Sequence, residues 1–389
     1  MDASETFRDR SDTVQVDAHY RAGDTRSGGS RSGFSGSGGS RGDSHPAPPT
    51  DPGGREQGGQ ATAPPAAALL QRLYAPILNP LAEVEARLRS ELQSPLEGVS
   101  ALLRHGVALG GKRLRPAIHL LMADALGGVR PSNVVIGAVL EMVHTATLVH
   151  DDVLDDAATR RHVPTINAQW NNHTSILLGD YLFAQSFQLA ATLESTRTCQ
   201  WVGQAARLVC EGELRQVLGR DDVEIDRDTY FEIIQGKTAE LCRVACSLAA
   251  AEAGCDADTI ARLAEYGNSL GIAFQIADDF LDLWGDDHTV GKTLGTDLDQ
   301  GKITLPVIRL LETATPTKRT AILEVLRGPA ADRHAQIRGW LDQSDAREFT
   351  AQTAADFKQR ALDAITELPS GAAKHCLAEI AEFSIQRSF

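Results

Sequence analysis

The chain has 389 residues, 42% of them hydrophobic, and a formal net charge of −14. Because the chain is acidic overall and has no stripe of basic residues, nucleic acid is not expected as a partner. The six cysteines form no CxxC pair, the N-terminus lacks the apolar core of a signal peptide, and no run of eighteen apolar residues could span a bilayer. We therefore expect a cytoplasmic protein with at most peripheral membrane contact.

Residues 1–66 and residues 67–389 differ in composition. The first segment is rich in Gly, Ser, Arg, Asp and Pro, which predicts a disordered low-complexity tail. The second has apolar residues at helical spacing without strand alternation or a second linker, which predicts one all-α domain. Its predicted helices include Leu69–Leu92, Leu114–Leu126, Ser132–Asp156, Ser175–Ser195, Thr198–Leu218, Thr229–Ala251, Ala257–Leu283 and Lys302–Glu312.

The first chemical signal along the domain is a group of positive charges. Lys112, Arg113 and Arg115 follow two glycines and precede Pro116, at a predicted junction between a loop and a helix. Helix N-termini attract anions through their free N–H groups and their dipole. The segment is therefore typical of a diphosphate clamp.

Two aspartate clusters lie more than a hundred residues apart in apolar, proline-free helical stretches. Residues four apart share a helix face, so Asp151 and Asp155 should point together, as should Asp278 and Asp282. A lone acidic cluster is as often a solvated face or a cap, but apolar neighbours surround both of these, where unpaired carboxylates are costly. Oxygen ligands without a nearby set of His or Cys favour Mg²⁺, which shares its coordination shell with substrate phosphates. We therefore expect a phosphate ester as substrate.

A third acidic cluster, at residues 221–228, has a structural interpretation. Its members precede Thr229 and Tyr230, where aspartates commonly cap a new helix. They are Asp221, Asp222, Asp226 and Asp228.

Further basic residues accompany the first two clusters. Arg160 and Arg161 follow the first cluster by one to two helical turns, and Lys237, Lys292 and Lys302 lie near apolar helical stretches. A single lysine on a helix is usually only solvated. In a chain this acidic, cations grouped around the aspartates favour substrate binding.

These motifs resemble, in order and spacing, those of the trans-polyprenyl diphosphate synthases. The matching segments are GKRLRP at 111–116, HTATLVHDDVLDD at 144–156, RR at 160–161, GD at 179–180, KT at 237–238, FQIADDFLD at 274–282 and GKTLGTDLDQGKITLP at 291–306. The resemblance implies an all-α class I terpenoid synthase bundle around a central cavity, usually a homodimer. It also implies the head-to-tail condensation of isopentenyl diphosphate with an allylic diphosphate, such as farnesyl diphosphate.

The resemblance assigns roles to individual residues. Three Mg²⁺ ions are implied: two on Asp151 and Asp155 with Asp152 close by, and one on Asp278 with Asp279 and Asp282. Contacts to the allylic diphosphate are implied for Arg160, Lys237, Thr238, Gln275, Lys292 and Lys302, with Lys237 counted as catalytic beside Asp151, Asp155 and Asp278. Contacts to isopentenyl diphosphate are implied for Lys112, Arg115, His144 and Arg161. His144 precedes Asp151 by two helical turns, so its ring can lie on the same face.

The most specific expectation from the resemblance concerns the length of the product. In this family a bulky aromatic residue four or five positions before the first aspartate limits products to short chains. Here those positions are Thr147 and Ala146, Val143 lies further along the same helix, and no aromatic residue occurs from Gly137 to His150. Because one helical turn rises about as far as one isoprene unit, we expect a product of roughly six to ten units, the usual precursor of quinone side chains.

One position departs from the family pattern, and several other functions stay open. His162 stands where glycine usually follows the two arginines, which narrows the loop without removing a charge. A short-chain geranylgeranyl diphosphate synthase or a non-catalytic subunit of a heteromeric synthase are the nearest alternatives, although such a subunit need not keep both aspartate clusters. A terpene cyclase would not need a second diphosphate site, so Lys112, Arg115 and Arg161 count against it. A metal phosphohydrolase built on His144, His150 and Asp151 would leave the second cluster without a role.

Overall fold

The computed structural model describes residues 65–109, 111–161, 163–220, 222–285, 295–329 and 333–386, which all belong to one compact unit, Thr62–Phe389. The predicted tail up to residue 64 lies outside the described residues, as do His162, Asp221 and Lys292. Helix α1 begins at Pro65, and the boundary of the tail at residue 66 stays a prediction. Proline is favoured in the first turn of a helix, where its missing N–H leaves no hydrogen bond unmade.

Short helices lead to the first basic motif. They are α1, Pro65–Leu73; a 3₁₀ turn, Ala75–Ile77; α2, Leu78–Glu91; α3, Glu97–Ala108; and α4, Leu114–Ala125. The single helix predicted over Leu69–Leu92 is wrong, because the chain turns at Pro76, which lacks the N–H needed to continue the helix. Helix α3 is not predicted because Gly98 and Gly106 weaken its helical pattern.

Helix α5, Pro131–Leu154, lies at the centre of the bundle. It packs against α2, α4, α7 (Asn172–Ala190) and α10 (Glu240–Ala253). Among the described helices it alone is long and apolar enough to cross a membrane, and 67% of its most apolar stretch is buried inside the fold. Core helices of globular bundles pass the same test, so this finding fits a central position.

A two-stranded hairpin follows α5, where no strand is predicted. Strand β1, Thr159–Arg160, pairs antiparallel with β2, Val163–Pro164. Two-residue strands are too short to leave an alternating pattern in the sequence. Between them, Arg161 has a φ of 53°, a left-handed conformation, and Arg160 is held against Asp152 of α5.

A π-helical turn interrupts the helix predicted over Thr229–Ala251. After α6, Ile166–Gln169, and α8, Arg197–Leu218, come α9, Arg227–Ile234, the π turn, Gln235–Ala239, and α10. Asp226 accepts a hydrogen bond from the Thr229 amide at the start of α9, which confirms the capping role predicted for it. The π turn presses on α8 so closely that a Cβ atom at Gly236 would lie 2.8 Å from the Leu208 carbonyl oxygen.

The C-terminal part of the unit builds on one long helix. This is α11, Ala257–Trp284, which packs against α10 and α16. The shorter helices are α12, Thr296–Asp299; α13, Leu305–Thr313; α14, Pro316–Arg327; α15, Arg333–Leu341; α16, Ala346–Ala364; and α17, Ala372–Gln386. The helix predicted to start at Lys302 starts at Leu305 instead, since Gly301 has a φ of 73° and Pro306 occupies its first turn.

Candidate functional site

The first aspartate cluster lies at the C-terminal end of α5, where its members point in two directions. Asp151 is partly buried, and Asp155 is the C-cap residue. Asp152 is buried on another face, where one oxygen accepts hydrogen bonds from Nε and Nη2 of Arg160 at 2.9 and 2.8 Å. Its other oxygen has no hydrogen-bond partner among the described residues. Asp152 therefore fixes the hairpin that carries Arg160.

Cationic side chains converge on Asp151 and Asp155. Lys302 Nζ lies 3.2 and 3.4 Å from the two oxygens of Asp155, and Arg220 Nη2 lies 3.5 Å from one of them. Burial raises the pKa of Asp151 to about 6; the charge of Lys237 opposes this shift and that of Glu213 adds to it. The carboxylates are thus held in a setting where a further cation is favoured.

The π turn positions Lys237. Its ammonium group lies 2.5 Å from Glu213 Oε2 and 3.0 Å from Gln216 Oε1, both on α8. Burial alone would lower the pKa of Lys237, but the carboxylates of Asp151 and Glu213 outweigh it and raise the pKa. Lys237 is therefore a fixed positive charge beside the first cluster. Glu213 and Gln216 are site residues that the sequence does not single out, although their i, i+3 spacing on α8 is a weak signal for a shared face.

The second cluster, on α11, is tied to the same region through hydrogen bonds. Thr238 donates to Gln275 Oε1 at 2.8 Å, and Gln275 donates to Asp279 Oδ1 at 2.8 Å. The hydroxyl of Tyr230 donates to the other Asp279 oxygen at 2.6 Å. Burial and the nearby Asp297 raise the pKa of Asp279. Asp279 is therefore a buried carboxyl that organises its neighbours, and Tyr230 is a site residue that the sequence does not reveal.

The remaining members of the second cluster are partly buried. Asp282 accepts hydrogen bonds from the amides of Thr296 and Asp297, at the start of α12, at 3.2 and 3.3 Å. Asp278 lies one turn before it on α11. The cluster thus faces the short segment that leads to Lys302.

A cavity of about 180 Å³ lies where these elements meet. Its walls include five residues that the sequence predicts for the site: Lys237, Thr238, Gln275, Asp279 and Lys302. Since Lys302 also contacts Asp155, the cavity adjoins the first cluster. Residues from the π turn, α11 and the segment before α13 therefore meet at one place. Lys292 lies outside the described residues.

Two of the cations that the resemblance assigns to isopentenyl diphosphate, Arg115 and Arg161, lie around His144. Arg161 donates from Nη1 to the Leu109 carbonyl at 3.0 Å and covers Gly111 so closely that a Cβ atom there would overlap the guanidinium. Burial lowers the pKa of His144 well below 6.5, and the charges of Arg115 and Arg161 lower it further. Arg115 Nε is buried without a hydrogen-bond partner among the described residues. Such a concentration of positive charge around an unpaired donor suits an anionic ligand.

Lys112 and Arg113 have different surroundings. The carbonyl of Lys112 accepts a hydrogen bond from Tyr74 at 2.9 Å, and its Nζ lies 5.8 Å from the ring centre of Phe383 on α17. Arg113 instead forms buried ion pairs with Glu85 on α2 and Glu141 on α5. The grouping of Arg113 with the diphosphate clamp is therefore wrong, because its charge is paired with these two glutamates and holds the loop against α2 and α5.

The donor set fits a hard divalent cation shared with a substrate. His150, which a phosphohydrolase would use, points away from Asp151 and lies 3.1 Å from the Ile176 carbonyl and 3.7 Å from Asp180. Across the described ranges, no three His, Cys, Asp or Glu side chains converge on one point. Carboxylates that do not form a complete cage suit Mg²⁺, which takes one or two protein carboxylates and completes its shell with water and phosphate.

The residues predicted to limit product length lie deeper on α5. Ala146 and Val143 are fully buried. Thr147 is partly buried on the face shared with His144 and Asp151, and its hydroxyl donates to the His144 carbonyl at 2.8 Å. No bulky side chain stands at either position before the aspartates, and their role in product length stays a prediction.

An all-helical bundle with two carboxylate clusters and two groups of cations has the arrangement of a class I terpenoid synthase. Residues 97–341 match the polyprenyl synthetase family. The octaprenyl diphosphate synthase of Escherichia coli (strain K12) is 33% identical over 79% of this chain and 95% of its own length. The chain belongs to the polyprenyl synthetase family, whose members are prenyltransferases.

Solved structures agree with this family. A decaprenyl diphosphate synthase from Rhodobacter capsulatus has a TM-score of 0.78 and 32% identity, covering 82% of this chain and 99% of its own. A polyprenyl synthase from Caulobacter crescentus CB15, complexed with calcium and isoprenyl diphosphate, has a TM-score of 0.77 and 33% identity, covering 82% and 98%. These similarities confirm the predicted fold.

Proposed function

We propose that this protein condenses isopentenyl diphosphate with an allylic diphosphate to make a medium- to long-chain all-trans polyprenyl diphosphate. The observation that carries the proposal is the meeting of Lys237, Lys302 and Asp279 around one cavity, with Lys302 also in contact with Asp155 of the first cluster. A second group of cations, around His144, supplies the second diphosphate site that a condensation of two diphosphates requires.

Divalent metal is part of this proposal. Asp151, Asp155 and Asp278, with Asp279 and Asp282 in support, would hold three Mg²⁺ ions. When bound, Mg²⁺ supplies positive charge to the leaving diphosphate. A similar protein has been solved with calcium and isoprenyl diphosphate, which supports an oxygen-ligated divalent ion.

The chain's own residues provide the rest of the mechanism. Lys237 and Lys302, with Arg160, hold the allylic diphosphate and stabilise its charge as the allylic C–O bond breaks. Lys112, Arg115, His144 and Arg161 hold isopentenyl diphosphate so that its double bond attacks the resulting carbocation. Burial and the neighbouring arginines lower the pKa of His144 in the ligand-free enzyme, and its ring N–H donates a hydrogen bond to the diphosphate. The released diphosphate takes the proton that leaves on elimination.

The assembly and location are also proposals. We propose a homodimer that works in the cytoplasm and supplies precursors of quinone side chains. Large apolar side chains exposed on α7 and α8, such as Leu177 and Leu218, support self-association. All six cysteines are free thiols, which suits a reducing compartment.

An assay with the purified full chain tests the activity. Farnesyl diphosphate, excess isopentenyl diphosphate and Mg²⁺ should yield a product longer than four isoprene units, identified by its mass. Asp151→Ala and Asp278→Ala should each lose most turnover, about a hundredfold or more, with unchanged helical content by circular dichroism. A wild-type chain that forms no prenyl product alone, or an Asp278→Ala variant with full turnover at limiting Mg²⁺, would contradict the proposal.

A further inference from the structure

One arginine at the site has no role in the mechanism described so far. Arg220 follows Gly219, the C-cap residue of α8. Its Nη2 lies 3.5 Å from Asp155 Oδ1 and 3.4 Å from the Leu154 carbonyl. Its Nε is buried and has no hydrogen-bond partner among the described residues. The guanidinium thus reaches the first aspartate cluster with part of its donor capacity unused.

Arg220 shares its carboxylate with a second cation. Lys302 Nζ lies 3.2 Å from the same Oδ1 of Asp155 that Arg220 approaches. One carboxylate balances only one of these two positive charges. Both cations therefore depend on the same carboxylate group.

Backbone packing holds the two cations near each other. Gly301, the residue before Lys302, has a φ of 73°, and a Cβ atom there would lie 3.1 Å from the Arg220 carbonyl oxygen. The end of α8 and the segment that carries Lys302 are thus in direct contact. This backbone contact and the hydrogen bonds of the side chain together fix the position of Arg220.

Other arginines on α8 differ from Arg220 in their partners. Arg207 pairs with Glu211 one turn away, and Arg215 pairs with Glu232, with more than half of each arginine side chain exposed to solvent. Those are surface ion pairs of little energetic consequence. Arg220 instead approaches a carboxylate that the proposed function gives to a metal ion. Once a divalent cation takes Asp155, the guanidinium loses its partner.

We propose that Arg220 is a further ligand of the allylic diphosphate. In the ligand-free enzyme it lies against Asp155, and it transfers to diphosphate oxygens when a divalent cation occupies that carboxylate. The planar guanidinium suits this role because two of its N–H groups can bind one phosphate group at once. This inference rests on the proposed function and adds a further cationic side chain to the allylic site.

Calorimetric titration of the full chain with inorganic diphosphate tests the inference directly. With saturating Mg²⁺, Arg220→Gln should weaken diphosphate binding about tenfold or more, as expected for loss of a charge-assisted hydrogen bond. Without metal, Arg220 is engaged with Asp155, so the variant and the wild type should differ by less than about twofold. Arg207→Gln, at an exposed position on α8, is the matched control and should bind as the wild type does.

A conservative variant separates a ligand from a structural residue. Arg220→Lys keeps the charge but loses the two-pronged geometry, so it should show an intermediate loss of diphosphate affinity in Mg²⁺. If the glutamine and lysine variants both bind diphosphate as tightly as the wild type with Mg²⁺ present, the inference is overturned. A loss of equal size with and without metal would overturn it too, because it would show that Arg220 acts without the exchange at Asp155.

Steady-state kinetics add a second readout. Arg220→Gln should raise the KM for farnesyl diphosphate and leave that for isopentenyl diphosphate within about twofold; the reverse pattern would overturn the inference. Product formation by the wild type tests the proposed function separately. If the wild type forms no product, the proposed function fails, while the titrations with diphosphate still decide whether Arg220 binds it.

Discussion

At the scale of single residues, His144 links the second cation group to a measurable pH dependence. Burial and the charges of Arg115 and Arg161 keep the pKa of His144 well below 6.5 in the folded protein. In the unfolded chain the same imidazole has a pKa of about 6.5. Below that pH the unfolded state binds a proton that the folded state does not, so the free energy of unfolding falls as the pH falls. We expect Tm to drop more between about pH 7 and pH 5 for the wild type than for His144→Gln.

His173, exposed on α7, provides the matched control for this measurement. His173→Gln should keep the wild-type dependence of Tm on pH. Another buried histidine, His119, has its pKa lowered to about 4 by burial and is common to all three proteins. Identical pH profiles for the wild type and His144→Gln would show that the cation group does not act on His144 as described.

A second residue-scale prediction concerns the division between substrates. Arg115 lies beside His144, and the resemblance assigns Lys112 to the same diphosphate, whereas Lys237 lies beside Glu213 and Asp151. Lys112→Ala and Arg115→Ala should therefore raise chiefly the KM for isopentenyl diphosphate, and Lys237→Ala that for the allylic substrate, each by about tenfold. Direct binding of each diphosphate should show the same split, since KM equals a dissociation constant only when chemistry is slow. Equal effects on both substrates would refute the assignment.

The aspartates show what the sequence predicts at this scale and what it leaves open. Helical spacing predicts that Asp151 and Asp155 share a face and that Asp152 does not. It does not predict that Asp152 would bind Arg160, or that Asp279 would be enclosed by Tyr230 and Gln275. Those pairings depend on elements distant in sequence. The sequence does not identify Glu213 and Arg220 as site residues for the same reason. A polar residue on or after an amphipathic helix looks like a solvated one until its neighbours are known.

At the scale of helices, long periodic segments are well predicted and their interruptions are not. The prediction of Ser132–Asp156 agrees with Pro131–Leu154 to within two residues, and Thr198–Leu218 agrees with Arg197–Leu218 to within one. The π turn at Gln235–Ala239 leaves no trace in the local pattern, because it forms where α8 presses on the backbone of Gly236. Turns of this kind inside helices often occur at functional sites.

Substitution of Gly236 tests whether the π turn positions Lys237 and Thr238. A methyl group there would lie 2.8 Å from the Leu208 carbonyl, so Gly236→Ala must displace the turn from α8. We expect kcat to fall about tenfold or more and the KM for the allylic substrate to rise, with that for isopentenyl diphosphate unchanged. Gly203→Ala on α8 is the control, because its methyl group would meet only Phe187 at 3.8 Å. If Gly236→Ala lowers Tm alone, the turn is structural and does not position the cation.

At the scale of the whole molecule, the site lies between two hydrophobic clusters. One cluster includes α4, α5, α7 and α10, and the other includes α9, α13 and parts of α11. The first aspartates lie on a helix of one cluster, and Ile276, two residues before Asp278, packs in the other. Because the two clusters pair helices far apart in sequence, the sequence predicts the parts of the site but not their separation. That arrangement follows from packing alone.

The depth of the bundle sets the expected product length. From Asp151 back to Pro131, α5 continues for twenty residues, or about 30 Å. A prenyl chain that grows along this helix adds about one turn of length per unit, so α5 alone accommodates roughly six units. Ala146 and Val143 lie fully buried on the way. The small side chain of Ala146 is therefore expected to leave the path open.

A graded series at Ala146 tests this last expectation. Ala146→Val, Ala146→Leu and Ala146→Phe should shorten the product in order of side-chain volume, and the phenyl ring should limit it to about three or four units, since each addition fills one turn of the path. The first condensation should survive, because Asp151 and the cation groups are untouched. Each added methylene also strains a buried position, so Tm should fall modestly along the series. Ala146→Ser, nearly equal in size, should keep the wild-type product. Product masses with excess isopentenyl diphosphate decide the matter: a wild type that stops at four units, or an unchanged distribution for Ala146→Phe, would show that the chain grows along another path.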